Sequence, residues 1–447
     1  MTTPIDNILV QVQEYAPSYL TYLDNQTLYI RESNKRFENF NTKFSANLGD
    51  TIKFDLQIRA NVTRSLVAAD QPIVQRFSTI TAGNAYNSAF IVSDPQRIFN
   101  FAKSESTSEQ IEYYMENFTK PQGEAISSAI EEDMSKNIIG ARTYQDSNRI
   151  IRTDKESGAF RFFGNGTTQI NSAQQLAQMN ANFRAWGNVF GKVNCYLPMT
   201  KIPLFVDNFL NQFVPTRNEE MAKKWMLGTY QNVDYFDTNI IPRHDSGTVG
   251  SLAQTLTVLS VITNPQNQIT GVVASGASVS DPNAIKANDM VEFNLSSNAN
   301  LNTTFGTFVS GLDTGLKVQN RVAEDAGSDS SGNVTITFIR PFTVGSALDD
   351  SINIVKPIVP NMTLSVPPSH FAGSLHTKDA FLLAMPRLPE TTPYPSAVVQ
   401  DSQSGASLRM YYGFLGTGEP AQRVVLDCIT GSALIAERSM RIILPLN

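Results

Sequence analysis

The chain has 447 residues, 35 Lys plus Arg against 41 Asp plus Glu, a net charge of −6 and 41% hydrophobic residues. That is room for two or three domains with a substantial core, and the acid excess argues against a dedicated nucleic-acid reader, which carries a basic face. Three histidines and two distant cysteines, Cys195 and Cys428, weigh against histidine-based acid–base chemistry and against a zinc site.

Two reduced, packed thiols are expected rather than a disulfide. No apolar run approaches the ~20 residues that cross a bilayer, so no membrane partner is expected. The opening "MTTPIDNILVQVQEY" lacks the basic-then-apolar order of a secretory leader.

Residues 1–38 read as an arm. In "TIKFDLQIRA" (51–60), Ile52, Phe54, Leu56 and Ile58 alternate with polar residues, the period of a half-buried strand. With "PIVQRFSTITA" (72–82) it predicts a long hairpin, which is marginal alone in water and so should rest on something else. A capping box at Ser106–Glu109 opens a helical stretch, and Pro121 interrupts or restarts it. Beyond it Ile126, Ile130, Met134 and Ile138 form one helical row. A third helix over 172–186 carries Leu176, Met179, Phe183 and Trp186 as a stripe. A fourth is expected near 202–213 and a short one over Glu219–Met226.

The composition changes after Gly247. Residues 251–356 contain no Trp, Tyr, His or Cys and have 5 basic against 9 acidic residues. Strand-like runs recur there ("TLTVLSVIT", "QITGVVAS", "DMVEFNL", "GTFVSGL", "NVTITFIRPF"), which predicts a small all-β domain inserted into its host. Strands resume in "MTLSVP", "DAFLLAMPRL", "SLRMYYGFL", "RVVLDCITG" and "RIILPL". The fold class is therefore α+β.

His244, Asp245 and Ser246 supply the residue types of a hydrolase triad side by side. Neighbours on an extended chain face opposite ways, whereas a triad base must bond both partners at once. Pro242 and Gly247 mark a bend instead. His370 and His376, six apart, match no helical metal pair and read as surface or packed loop histidines. "GFLGTGEP" (413–420) has the glycines of a phosphate loop but no following helix, so it reads as a hairpin turn. Glu131, Glu132 and Asp133 fan out over ~200° of a helix. They are expected to be solvated or paired with a neighbouring subunit. On the hairpin, Asp55, Arg59, Arg64 and Asp70 are candidates for contacts between subunits, against ordinary surface solubility. No catalytic, metal or cofactor site is expected, and the chain reads as no enzyme.

The order of these elements resembles the major capsid proteins of tailed bacteriophages, the HK-ninety-seven-like fold, and most of all short-tailed-phage coat proteins with an inserted β-domain. The run "LGTYQNVDYFDTNIIPRHDSG" (227–247) is similar to the family's segment before its insertion, through Gly228, Tyr235, Asp237, Pro242, His244 and Gly247. The tail "LRMYYGFLGTGEPAQRVVLDCITGSALIAERSMRII" is similar to the family's ending. The resemblance implies an arm (1–38), an extended hairpin loop (39–82) and a peripheral domain with a spine helix (83–141). An axial domain (142–250) follows, with the inserted β-domain (251–356), then the axial remainder (357–420) and peripheral-domain strands (421–447).

It further implies an icosahedral virion shell of pentamers and hexamers around non-specifically held double-stranded DNA. That shell would be assembled in the bacterial host cytoplasm with a portal protein. Since the chain shows no helical, charge-dense N-terminal segment, a separate scaffolding protein is implied too, and no Lys–Asn pair for chain cross-linking is identified. The alternatives are a shell protein of a non-viral compartment with the same fold, or a hydrolase using His244. Arm and hairpin are expected to grip adjoining copies and bend without disturbing the core.

Overall fold

Strands Val193–Pro198 and Ser439–Pro445 are buried at every position, the mark of strands covered on both faces. They lie inside a seven-stranded sheet. Its order runs Phe162–Phe163, Ser439–Pro445, His370–Thr377, Val193–Pro198, Val233–Thr238 and Met226–Tyr230, with Arg243–His244 added beside His370–Thr377. The computed structural model describes residues 27–34, 48–59, 73–92, 120–187, 191–201, 226–308, 310–389, 396–400, 407–414 and 422–446.

The pleat decides what each face of this central sheet meets. Cys195, Leu197 and Tyr235 turn to the helix Ala173–Gly187, against Leu176, Met179 and Phe183. Tyr196 and Phe236 turn the other way, toward Tyr29, Phe381 and the long helix Lys120–Lys136. The predicted rows hold. Ile126, Ile130, Met134 and Ile138 are all buried, as are Leu176, Met179, Phe183 and Trp186. Pro121 lies in the first described turn of the long helix, where a missing N–H is tolerated. The helical stretch over 104–118 and the helix over 202–213 lie outside the described residues. Of Glu219–Met226 only Met226 is described, and it opens a strand.

A second sheet of five strands flanks the long helix. Gln422–Leu434 is its hub, pairing with Phe381–Ala384, Ser407–Phe414 and Asn84–Val92, while Ser396–Gln400 closes the far edge. Residues 421–447, grouped as one piece by sequence, thus divide. Gln422–Leu434 serves this sheet and Ser439–Pro445 the central one, with the short 3-10 turn Ala436–Arg438 between them.

The chain leaves the central sheet at His244 and returns at His370, residues paired directly across two strands. Between them lies a nine-stranded sheet. A bridge between Val322 and Phe338 brings its last strand, Gln319–Arg321, back beside Asn333–Val344. The enclosed core is apolar, with Val258, Val272, Val291, Phe293, Ile336, Phe342 and Leu364.

Two details differ from expectation. "MTLSVP" belongs to this β-rich unit and not to the later sheets, because Thr363–Ser365 pairs with Thr255–Thr263 and Met290–Phe293 and turns Leu364 inward. "GTFVSGL" is not one strand. Thr304–Gly306 ends at its start, Gly311 sits at φ +66° in a turn closed by Gly311 N–H on the Thr307 carbonyl (3.0 Å), and Asp313–Lys317 follows.

The early hairpin forms as expected. Asp50–Leu56 pairs with Arg76–Ala82 in register from Asp50↔Ala82 to Leu56↔Arg76. Among the described residues it is a two-stranded sheet of its own. Ile52, Phe54 and Leu56 settle on Ile80, Leu382, Ala384 and Ile435.

Candidate functional site

His244, Asp245 and Ser246 separate. The His244 ring lies inward, its Nε2 2.8 Å from Asp289 Oδ1. The other Asp289 oxygen accepts from the backbone of Gly247 (3.1 Å) and Lys286 (2.8 Å). Asp245 turns out to Arg243, and the Ser246 hydroxyl donates to the Pro367 carbonyl at 2.8 Å. No base touches a nucleophile here. His370 and His376 are buried strand residues rather than loop ones. His370 sets Nδ1 2.7 Å from the Pro368 carbonyl, and its ring lies 5.4 Å from that of His244. Burial, helped by the charge of Arg441, pushes His370 down to about 3. His376 is packed edge-on to Tyr196 (4.5 Å) and Phe381 (4.8 Å), and burial alone pushes it down to about 3. Burial also lowers His244, against the pull of Asp289. Cys195 and Cys428 are free and buried, and burial pushes both thiols up. Among the described residues no three His, Cys, Asp or Glu side chains form a group that could hold a metal ion.

The strands flanking "GFLGTGEP" pair as a hairpin, Phe414 opposite Gln422, while 415–421 lie outside the described residues. The acidic run fans out, but not all to solvent. Glu131 is buried and accepts from the Ile30 backbone at 3.1 Å. Desolvation raises its carboxyl to about 7. It pins the segment Tyr29–Glu32 to the long helix, so the expectation of a solvated or intersubunit group fails for it. Asp133 accepts from Tyr86 and from Asn84 (2.8 Å), and only Glu132 faces out, pairing with Lys136 at 2.8 Å.

Of the hairpin charges, Arg64 and Asp70 lie outside the described residues, and Asp55 is exposed. Arg59 is buried inside the chain rather than exposed on the hairpin surface. Its Nη1 donates to the Ser351 carbonyl at 2.8 Å, its Nη2 lies 3.5 Å from Glu437 Oε1, and its plane covers Phe308 at 4.1 Å. Burial lowers Arg59 to about 10.

Arg59 is one of three arginines on the same carboxylate oxygen. Arg76 Nη2 bonds Glu437 Oε1 while its Nε bonds Asp350 Oδ1 at 2.6 Å, and Arg340 Nη1 lies 3.1 Å from Glu437 Oε1. The hairpin contributes Arg59 and Arg76, the β-rich unit Arg340, Asp350 and Phe308, and the turn between the two other sheets Glu437. The hairpin, expected to bend without disturbing the core, is tied to its own chain at the Leu56↔Arg76 end of its ladder. Sequence reasoning missed Arg76, Arg340, Asp350 and Glu437. Their only signal was polarity next to apolar strands, as in "IAERSM".

A second arginine joins the β-rich unit to its host. Arg321 is fully buried and donates from Nη1 to the Ile139 carbonyl and to Asn288 Oδ1, both at 3.0 Å, and from Nη2 to the Lys155 carbonyl. Its socket is walled by Gly140 (φ +70°) and Gly158 (φ +128°), and a Cβ on Gly140 would lie 1.3 Å from Arg321 Nη1. Of the two carbonyls it meets, that of Ile139 lies just past the C-terminal end of the long helix, where a cation is favoured.

No family model and no curated protein matches the chain. Solved structures similar to it include the capsid of Ralstonia phage GP4, at 8% identity and TM-score 0.40 over 94% of this chain and 88% of that one. The capsid asymmetric unit of cyanophage Pam1 gives 9% identity and TM-score 0.40 over 94% of each chain. The head structure of Helicobacter pylori bacteriophage KHP40 gives 10% identity and TM-score 0.35 over 94% of this chain and 89% of that one. Identity and TM-score are low in all three.

Proposed function

We propose that the chain is a coat protein, the repeated subunit of an icosahedral virion shell around double-stranded DNA. The observation that carries this reading is the hairpin. It pairs with no other described strand, yet leaves Ile58, Ile73 and Phe77 at 51%, 76% and 47% exposure. Apolar side chains left exposed on one element support a contact surface. The same chain occupies rings of five and six copies through heterologous contacts. In this reading the β-rich unit is the inserted domain, the long helix is the spine, and Asp55 contacts a neighbour.

A separate scaffolding protein and a portal protein assist assembly in the host cytoplasm, and the mildly acidic chain holds DNA only non-specifically. Each subunit makes several interfaces, so modest contacts add by multivalency. Light scattering and negative-stain microscopy of the purified chain, with and without a scaffolding partner, test the reading. Closed shells of megadalton size are expected. A monomer under every condition would sink it.

A further inference from the structure

We propose that the arginine cluster around Glu437 is a catch that holds the hairpin on its own subunit, and that the catch must open before the hairpin engages a second copy of this chain. The first half stands on the geometry, and the second rests on the shell reading above.

The catch joins three parts of the chain: the hairpin, the β-rich unit and the turn Ala436–Arg438. Arg59 and Arg76 come from the two sides of the hairpin, at the end of its ladder. Both reach a single carboxylate oxygen of Glu437, and both lie over the Phe308 ring, at 4.1 and 5.2 Å. Arg340 fills the third side of the same oxygen. Three guanidinium groups share two directly bonded carboxylates, Glu437 and Asp350, with Asp349 close enough to feel the charge of Arg59.

Two features suit release. The Asp350 side chain is 50% exposed, so water reaches one edge of the cluster. Arg59 is the least satisfied member. Its bond to Glu437 is long at 3.5 Å, and its Nε is buried without a hydrogen-bond partner. A donor left so is costly where it stands and would gain from a carboxylate brought by another chain. The same hairpin meanwhile exposes Ile58, Ile73 and Phe77. On its own subunit one face of the hairpin packs on Leu382, Ala384 and Ile435, while Ile58, Ile73 and Phe77 stay uncovered. Seated on a neighbour it would cover them.

The test uses the full chain with Glu437→Gln and, as the milder variant at the wet edge, Asp350→Asn. Amide hydrogen exchange on unassembled protein should rise about tenfold in Asp50–Leu56 and Arg76–Ala82 for Glu437→Gln. It should rise about threefold there for Asp350→Asn, with Val193–Pro198 unchanged in both. Light scattering should then show earlier onset of assembly in both variants.

Unchanged hairpin protection in a folded variant would overturn the catch, and so would equal loosening of hairpin and central sheet, which marks a merely structural ion cluster. If Glu437→Gln does not fold, Asp350→Asn decides. A loosened hairpin with unchanged or slower assembly overturns the release step. Wild type and variants that never assemble defeat the shell reading, while the exchange data still judge the catch.

Discussion

The β-rich unit and the central sheet reach similar burial from opposite sequence separations. All nine strands of the unit come from one contiguous stretch, Thr255 to Ser365, around an apolar core. The central sheet gathers Phe162–Phe163, Val193–Pro198, Met226–Tyr230, Val233–Thr238, His370–Thr377 and Ser439–Pro445 from across most of the chain. Inside each body the adhesive is apolar area, which is non-directional. Where the two meet, apolar packing continues, with Trp186 against Phe305 and Phe308 and with Phe162 and Ile443 beside Met290, and arginines add directed contacts: Arg321 in its glycine socket, and Arg340 with the hairpin arginines on Glu437. An arginine that must reach named carbonyls fixes orientation as apolar area does not. The difference teaches that apolar area holds each body and continues across the join, while a few directional groups there fix the angle at which the two meet.

The sharpest way to break this contrast is to fill the socket. Gly140→Ala would place a Cβ 1.3 Å from Arg321 Nη1 at a φ of +70° that disfavours any side chain. We expect a loss of about 3 kcal/mol or more, measured by thermal or urea unfolding. Gly140→Ala combined with Arg321→Ala should cost less than the sum of the two single changes, because one removes the obstacle to the other. Strict additivity would mean that the side chain does not occupy the socket.

The carboxylate comes next. Glu437→Ala leaves Arg59, Arg76 and Arg340 facing one another with only half-exposed Asp350 for compensation. Breaking a buried ion cluster from one side costs about 3–5 kcal/mol. An exposed pair such as Arg243–Asp245, 57% and 59% exposed, should yield under ~1 kcal/mol on the same measurement. Equal losses at both sites would erase the distinction between join and surface.

Legibility in the sequence followed the same divide. The rows of the long helix and of Ala173–Gly187 were readable because helical period is a local property. The β-rich unit was readable because its strands and turns follow one another. The join was not. Arg59, Arg76, Arg340 and Glu437 are separated by up to 378 positions, and no window shows that they share an oxygen. Arg59 was singled out as a surface charge because it follows an alternating strand, and that alternation stops at Ile58. Glu131 was misread for a related reason. A carboxylate in a polar run looks solvated until the segment at Tyr29–Glu32, a hundred residues earlier, lays its N–H groups on it. The burial of the histidines could not be read from loops marked by Pro and Gly.

The buried histidines sharpen the comparison through pH. His376 belongs to the central sheet and is pushed from 6.5 down to about 3 by burial. A depressed basic group contributes stability that is full above its unfolded value and is lost as pH falls toward the folded one. The loss therefore begins below about 6.5. His376→Phe keeps an aromatic ring between Tyr196 and Phe381 and should recover about 2 kcal/mol at pH 5 relative to pH 8. No titratable histidine stands in the β-rich unit, so its exchange protection should hardly follow this limb.

Glu131 slopes the other way. Its folded value of about 7 lies above the unfolded 4.5 because burial penalises the charged form more than the Leu28, Tyr29 and Ile30 backbone groups favour it. Between these values the folded state holds the extra proton, so stability falls as pH rises from about 4.5 to about 7 and is level above. Glu131→Gln keeps an acceptor for the Ile30 N–H and removes the proton. Its unfolding free energy relative to the parent should therefore improve by about 2 kcal/mol between pH 5 and pH 8. The change should register in exchange at Tyr29–Glu32 before it registers anywhere in Thr255–Ser365. A parallel shift of both regions would show that the segment at Tyr29–Glu32, the long helix and the β-rich unit melt as one body, and that the arginine joins transmit more than orientation.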